Sequence, residues 1–422
     1  MAAGGTVGCQ QSLGLVVAQG ALAHARTPGQ LADPHEIPPP GLEPDTGVNS
    51  YLAGMTNAAS SSPKLFETVA LGPLTLPHRL VMAPLTRNRA TPEGVPTPLM
   101  ATYYAQRASA GLIIAEASTP NAVGQTYPNI TAIHSPAHVA GWRRVTDAVR
   151  AEGGRMFLQI QHGGRAGHPD TSGLTPVAPS PVALPETIHT PAGRVPSVVP
   201  REMTTEDIAS TVADFASAAR NAIEAGFEGV EVHSANGHLL HQFLAQGTNR
   251  RTDAYGGPVD HRIRFVVEVT EAVAAAIGPE RVGLRVSPWS TVNGVEEGDT
   301  EEIYPALLGA LAESGLAYLH VGYADPEDPV FQRIRKDWPG TLIANPVLPK
   351  DRIPDDGGLA HAERLLTAGA DVIALGRPFL ANPDLIRRMR TGTPVNQVRD
   401  AYLMYVGGEA GYTDYPALPP GA

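Results

Sequence analysis

From Lys64 onward the chain alternates between two hydrophobic periods. Short apolar, β-branched runs recur as RLVMAPL, LIIAEAS, RMFLQIQH, GVEVHSA, VGLRVSP, YLHVGY, TLIANP and DVIALGR. Their length and composition read as buried strands. Between most of them the apolar positions spread onto one helical face, as in Ile208, Val212, Phe215, Ala219 and Ile223, or Ile263, Val266, Val269, Val273 and Ile277. That spacing is the helical period. The first of these helices is expected to begin after Thr204, where Thr-Thr-Glu-Asp offers a hydroxyl cap and early acidic residues for the dipole. Eight buried strands alternating with helices predict a parallel sheet, and eight is the number that closes into a (β/α)8 TIM barrel. A doubly wound open sheet is the alternative.

The same pattern divides the chain. Residues 63–422 are expected to form one barrel domain, with the Pro-rich stretch 174–200 as a capping excursion after the third strand. Residues 1–62 are rich in Ala, Gly, Pro and Ser and lack periodicity, so they read as a disordered or poorly ordered N-terminal extension. Met55 stands just before the organised region.

Polar residues fall where a barrel does its chemistry, at the C-terminal ends of the strands. Those ends carry Thr86, Glu116, Gln159 with His162, His233 with Asn236, Arg285, Tyr323, Asn345, and Gly376 with Arg377. One such group would be an ordinary rim residue. A full ring points to a bound ligand.

Composition narrows the ligand. A net charge of -11, with 31 Lys and Arg spread thinly, argues against a nucleic-acid surface and an anionic membrane. The single cysteine, Cys9, excludes an internal disulfide, a thiolate zinc site and a protein-ligated iron–sulfur cluster, and fits a reducing compartment. LGLVVAQGALAHA faintly resembles a signal core, but no Lys or Arg precedes it and Gln19 and Gly20 interrupt it. With no uninterrupted run long enough to span a bilayer, a cytoplasmic protein acting on small molecules is expected, as a monomer or homodimer.

The eighth strand ends in Gly-Arg-Pro, followed by Asn382-Pro383-Asp384 at a helix start. Backbone N–H groups, a helix N-terminus and a guanidinium suit a phosphate. Gln159 offers a donor and an acceptor, and Arg285 a permanent cation, which suit a planar heterocycle that gains negative charge on reduction. Flavin mononucleotide (FMN) meets that description. No Gly-x-Gly-x-x-Gly follows a strand, which argues against a dinucleotide held on a Rossmann unit.

Longer motifs carry a family resemblance. MAPLTRNRA at 82–90, YYAQRASAGLIIAEAS at 103–118, HSANG, TNRRTDAYGG at 248–257, ALGRPFLANPDL at 374–385 and GYTDYPAL at 411–418 closely resemble the old yellow enzyme family, in order, from about residue 64 onward. The resemblance implies an FMN barrel that takes hydride from NAD(P)H, with NADPH favoured, and delivers it to the β-carbon of an alkene conjugated to a carbonyl or nitro group. It also implies residue roles. Thr86 would face and tune the flavin carbonyl, Gln159 and Arg285 would make polar flavin contacts, and Ala117 a backbone contact. Gly376 and Arg377 would contact phosphate, with Pro84 and Asn345 completing the cofactor set. His233 and Asn236 would donate to the substrate oxygen, and Tyr127 and Tyr405 would surround the substrate.

The His233 and Asn236 pair makes chemical sense. Hydride arrival turns the carbonyl into an enolate, so donors aimed at its oxygen favour the transition state. The departures are equally informative. The family usually has Tyr two residues after this Asn, as the α-carbon's proton donor, whereas this chain has His238. An imidazole has a reference pKa of about 6.5 against about 10 for tyrosine, so His238 or a water is expected to deliver the proton. A zinc reading of His233, His238 and His241 lacks an established ligand spacing, and His241 is expected to pack on the following helix. Gln161 stands where an aromatic often narrows the site. After the seventh strand, Asn345-Pro346-Val347 replaces a glycine-rich turn, and PKDRIPDDGG reads as an insertion. Pro346 has no N–H for a phosphate.

The leading functional expectation is an NAD(P)H-dependent ene-reductase working by a ping-pong cycle. A flavin-dependent isomerase or dehydrogenase is the alternative that His238 keeps open. A flavin-binding protein without catalysis is a third, and neither His233 nor Asn236 would be needed for it.

Overall fold

The protein is described here by a computed structural model covering residues 64–419. The N-terminal segment 1–62, with Cys9, lies outside the described residues. Eight parallel strands form the wall: β1 (Leu80–Met82), β2 (Ile113–Thr119), β3 (Met156–Ile160), β4 (Gly229–Ser234), β5 (Val282–Val286), β6 (Tyr318–Ala324), β7 (Leu342–Pro346) and β8 (Val372–Leu375). Each pairs with its neighbour in sequence, β8 returns to β1, and the Met82 to Ile113 pairing joins β1 to β2. The sheet is therefore a closed (β/α)8 barrel, which rules out the open doubly wound alternative.

Alternation along the strands sorts their side chains. On β4, Val230 and Val232 pack into the large cluster shared with the surrounding helices, whereas Glu231 and His233 join the polar network of the interior. The lower interior is apolar. Val81, Leu112, Ile114, Phe157, Tyr318, Ile343 and Val372 fill it, each large side chain stabilising by about 1.5–3 kcal/mol on burial. Gly283 makes this packing possible, because a Cβ there would come within 2.2 Å of the Tyr318 ring. A hairpin, Val69–Leu71 with Leu74–Leu76, adds Leu71, Leu74 and Leu76 to the same cluster.

The helices follow the predicted period. α1 (Pro98–Ala105), α2 (Pro136–Ala151), α3 (Thr205–Glu224), α4 (Arg264–Ile277), α5 (Thr300–Leu311), α6 (Pro329–Asp337), α7 (Leu359–Thr367) and α8 (Leu385–Thr391) alternate with the strands. Thr204 caps α3 in a reciprocal box with Asp207, as the Thr-Thr-Glu-Asp sequence predicts. Between β3 and α3, Val177–Ala178 pairs with Arg201–Glu202, and Thr187–Thr190 forms a hairpin with Gly193–Pro196.

A late segment is bound to the start of the barrel. The Arg87 Nε donates to the Met404 carbonyl at 2.7 Å and its Nη2 to Gly411, while Arg89 reaches the carbonyls of Leu403 and Val406. Arg107 donates to Phe379, Leu380 and Tyr412. Tyr103 stacks on Tyr412 with ring centroids 4.0 Å apart. Glu116 belongs to this region: its carboxylate accepts from the Arg87 N–H and the Tyr104 hydroxyl, tying the wall to α1.

Candidate active site

The upper interior is a chain of side-chain hydrogen bonds running across the strands. The Gln159 amide donates to Glu231 at 2.7 Å and to His233 Nδ1 at 3.4 Å. Glu231 also meets His320 Nδ1 at 2.7 Å, Arg285 donates to His320 Nε2 at 3.0 Å and to the Asn345 side-chain oxygen at 3.1 Å, and Asn345 donates to the Ala374 carbonyl. These partners settle the protonation pattern. Because Arg285 can only donate, His320 Nε2 is the acceptor and Nδ1 carries the proton toward Glu231. Burial, then the Arg285 charge, lowers the His320 pKa to about 4, so the ring is neutral. Burial alone would raise the Glu231 carboxyl, but His320, Arg285 and Gln159 overcome it and hold the carboxyl below the usual range. An ion pair, Arg285 with Glu231, is thus bridged by a neutral imidazole.

His233 follows the same logic. Its Nδ1 accepts from Gln159, and burial, helped by the neighbouring His238 ring and the Arg285 charge, keeps the ring neutral. The proton lies on Nε2, which makes no hydrogen bond among the described residues. Asn236 stands three residues on in a left-handed conformation, φ 55°. That strained turn is held from several sides. The Asn236 N–H donates to the Ser287 hydroxyl, its carbonyl accepts from Asn293, the Gly237 N–H donates to His241 Nδ1, and the Gly237 carbonyl accepts from Gln242. Gly237 is also left-handed, and a Cβ there would meet the Val292 carbonyl at 2.3 Å. His241 is itself fixed, with Nε2 2.7 Å from Glu297, which also accepts from Thr300, Tyr304 and the Trp289 N–H. Among the described residues the Asn236 carboxamide makes no hydrogen bond, and its oxygen is buried without a partner. His238 stands at the N-cap position of the short helix Leu239–Leu244 without a side-chain capping hydrogen bond.

Other predicted residues lie around this core. Gln161 is buried and donates to Thr126 at 3.0 Å. Burial pushes the Tyr127 hydroxyl up to about 12, with smaller contributions from Tyr405 and Glu186. Tyr405 in turn feels Arg87, Tyr323 and Arg377. Ala117 is buried, with its carbonyl accepting from Thr131, while Pro84 and Thr86 are half-buried just beyond β1. Trp289 and Tyr323, both non-glycine residues at positive φ, expose their rings beyond β5 and at the end of β6. Strain of this kind, about 1–3 kcal/mol per residue, concentrates at functional sites.

The β7 and β8 end differs. Arg377, at the start of the short helix Arg377–Ala381, donates to the carbonyls of Leu348, Pro349 and Lys350. Asp356 accepts from the Gly358 and Ala360 N–H groups at the start of α7. Residues 348–356 thus occupy the Arg377 nitrogens Nη1 and Nη2 and the N-terminus of α7.

The donor set fits FMN. Arg285 keeps its Nε buried with no partner among the described residues, an unused donor on the charged group that a reducible heterocycle needs. Gln159, Arg285 and Thr86 would hold the ring system, and Gly376 with Arg377 the phosphate. Sequence reasoning missed Glu231 and His320. The available signal was an ionisable residue inside each of two otherwise apolar runs, GVEVH and YLHVGY.

Comparison with known proteins agrees. Residues 64–396 match the model of the NADH:flavin oxidoreductase / NADH oxidase family. A probable flavin mononucleotide-dependent alkene reductase from Leishmania infantum is 40% identical over 376 residues, covering 86% of this chain and all of that one. The 12-oxophytodienoate reductase 1 of Oryza sativa subsp. japonica is 38% identical over 381 residues, with 86% and 95% covered. Morphinone reductase in complex with tetrahydroNAD superposes with a TM-score of 0.79 at 43% identity, covering 85% of this chain and 99% of its own. The chain belongs to this family, that of the old yellow enzymes. It is an FMN-dependent oxidoreductase.

Proposed function

We propose that this oxidoreductase is an ene-reductase for alkenes conjugated to a carbonyl or nitro group, working by a ping-pong cycle with NAD(P)H. When bound, FMN supplies the two-electron transfer from the nicotinamide to the alkene. The observation that carries the reading is the unbonded His233 Nε2–H followed, three residues on, by the unengaged Asn236 carboxamide. As the β-carbon gains hydride the carbonyl oxygen gains negative charge, and two donors already in place stabilise it without reorganising. The Gln159 to His233 bond fixes the tautomer that can donate, and the pinned turn fixes the position of Asn236. Trp289, Tyr323, Tyr127 and Tyr405 would shape access to the site.

Anaerobic stopped-flow tests this. Mixing with NADPH should bleach the oxidised flavin band, and subsequent mixing with 2-cyclohexenone should restore it. Bleaching that no enone reverses would overturn the ene-reductase assignment and favour another acceptor.

A further inference from the structure

His162 and His238 carry complementary orphaned nitrogens. At His162, just beyond β3, the Gly164 N–H donates to Nδ1 at 3.1 Å, so that nitrogen is a lone pair. Burial, with a smaller contribution from the neighbouring His238 ring, lowers its pKa to about 3, so the ring is neutral and its single proton lies on Nε2. At His238 the Ala235 carbonyl faces Nδ1 at 3.3 Å. A carbonyl only accepts, so Nδ1 carries the proton. Burial lowers this pKa to about 4, which leaves Nε2 as a bare lone pair.

Both Nε2 atoms are buried and neither has a partner among the described residues. The residues adjoin, because the His162 carbonyl accepts from the Leu239 N–H at 3.0 Å. The ring centroids of His238 and His233 are 5.0 Å apart, so the pair borders the donor that the proposed reaction uses. Buried polar atoms without partners are rare in folded proteins and call for a ligand or water. One orphaned donor and one orphaned acceptor on adjoining residues match a group that accepts and donates at once, which is an O–H.

We infer that a hydroxyl group binds between the His162 Nε2–H and the His238 Nε2, so that His238 serves the site as a hydrogen-bond acceptor and not as the proton donor. The hydroxyl belongs either to the substrate, making the preferred alkene a hydroxylated enone, or to an ordered water. The substrate half of this inference rests on the ene-reductase reading.

Two measurements test it on the flavin-loaded enzyme. Long-range 1H–15N NMR of histidine-labelled protein reports tautomers without turnover. His162 protonated at Nε2 and His238 at Nδ1 are expected, and His238 protonated at Nε2 overturns the inference. The second measurement compares kcat/KM for a hydroxylated cyclic enone and its deoxy analogue in wild type, His238→Gln and His238→Phe. A preference of about tenfold for the hydroxylated enone, retained in His238→Gln and lost in His238→Phe, assigns the hydroxyl to the substrate. Equal losses for both enones in His238→Phe, with a changed solvent isotope effect, assign it to water. Unchanged rates and isotope effect in His238→Phe overturn it. Expected tautomers without enone turnover in any variant support the hydroxyl site and sink the ene-reductase reading instead.

Discussion

Across β3 to β7 the polar groups inside the barrel are held mainly by other side chains, whereas beyond the ends of β7 and β8 they are held by backbone. Gln159, Glu231, His320, Arg285 and Asn345 form one connected set. Arg377 instead bonds to loop carbonyls, and Asp356 to backbone N–H groups. The first arrangement cannot shift without exposing a charge inside a closed barrel, so it sets geometry. The second can exchange a carbonyl for a ligand oxygen at little cost, so it tunes affinity.

The strongest way to break this contrast is Glu231→Leu. It leaves Arg285 buried without its counter-charge, and losing one partner of a buried pair costs about 3–5 kcal/mol. Urea unfolding should register that loss, and flavin retention should fall with it; a stability loss below about 1 kcal/mol would show the network to be loosely built. Next in size are the oxyanion donors. Asn236→Ala should lower kcat for enone reduction by about a hundredfold to a thousandfold while leaving flavin affinity unchanged, which rapid-quench and flavin titration would separate. At the other end, Arg377→Ala should weaken FMN binding by roughly tenfold to a hundredfold, the worth of a charge-assisted bond, with little change in kcat at saturating flavin. An equal loss of kcat would mean that the β7 and β8 end also sets geometry.

A separate expectation concerns acid stability. His238, His162 and His320 are lowered to about 4, 3 and 4 in the folded chain. Unfolding therefore takes up protons below about 6.5. Their stability contribution is present above that pH and is lost as pH falls toward 4. Glu231 and Glu297, held below the usual carboxylate range, extend the loss to lower pH. Thermal melts from pH 7 to pH 4 should show the decline, and His238→Phe should make it shallower by one proton's worth.

Much of this was legible in the chain. The eight strands lie where the apolar runs fall, and Thr204 caps α3 as its neighbours imply. Gln159, His233 and Arg285 stood at strand ends, where barrel chemistry directs attention. Glu231 and His320 did not, because reading a run as buried treats every position alike, while alternation turns every second residue to the interior. Their partnership also joins β4 to β6, across a separation of 89 residues that no local pattern encodes. The clamp on Asn236 was hidden for the same reason, since Ser287 and Asn293 come from beyond β5. Glu116 shows the converse, a strand-end residue that bonds to Arg87 and Tyr104 instead of to the interior set.

The arginine clasp has a consequence for biogenesis. Arg87 and Arg107 lie near the first strands, yet Arg87 bonds to Met404 and Gly411 at separations of 317 and 324 residues. A ribosome extends the chain by about 5–20 residues per second, so these guanidiniums emerge well before their carbonyl partners exist. Until then the cations remain hydrated, and the first strand also lacks β8 as a neighbour. Completion of this barrel is therefore a late event, in which one step closes the wall and withdraws Arg87 and Arg107 from water together.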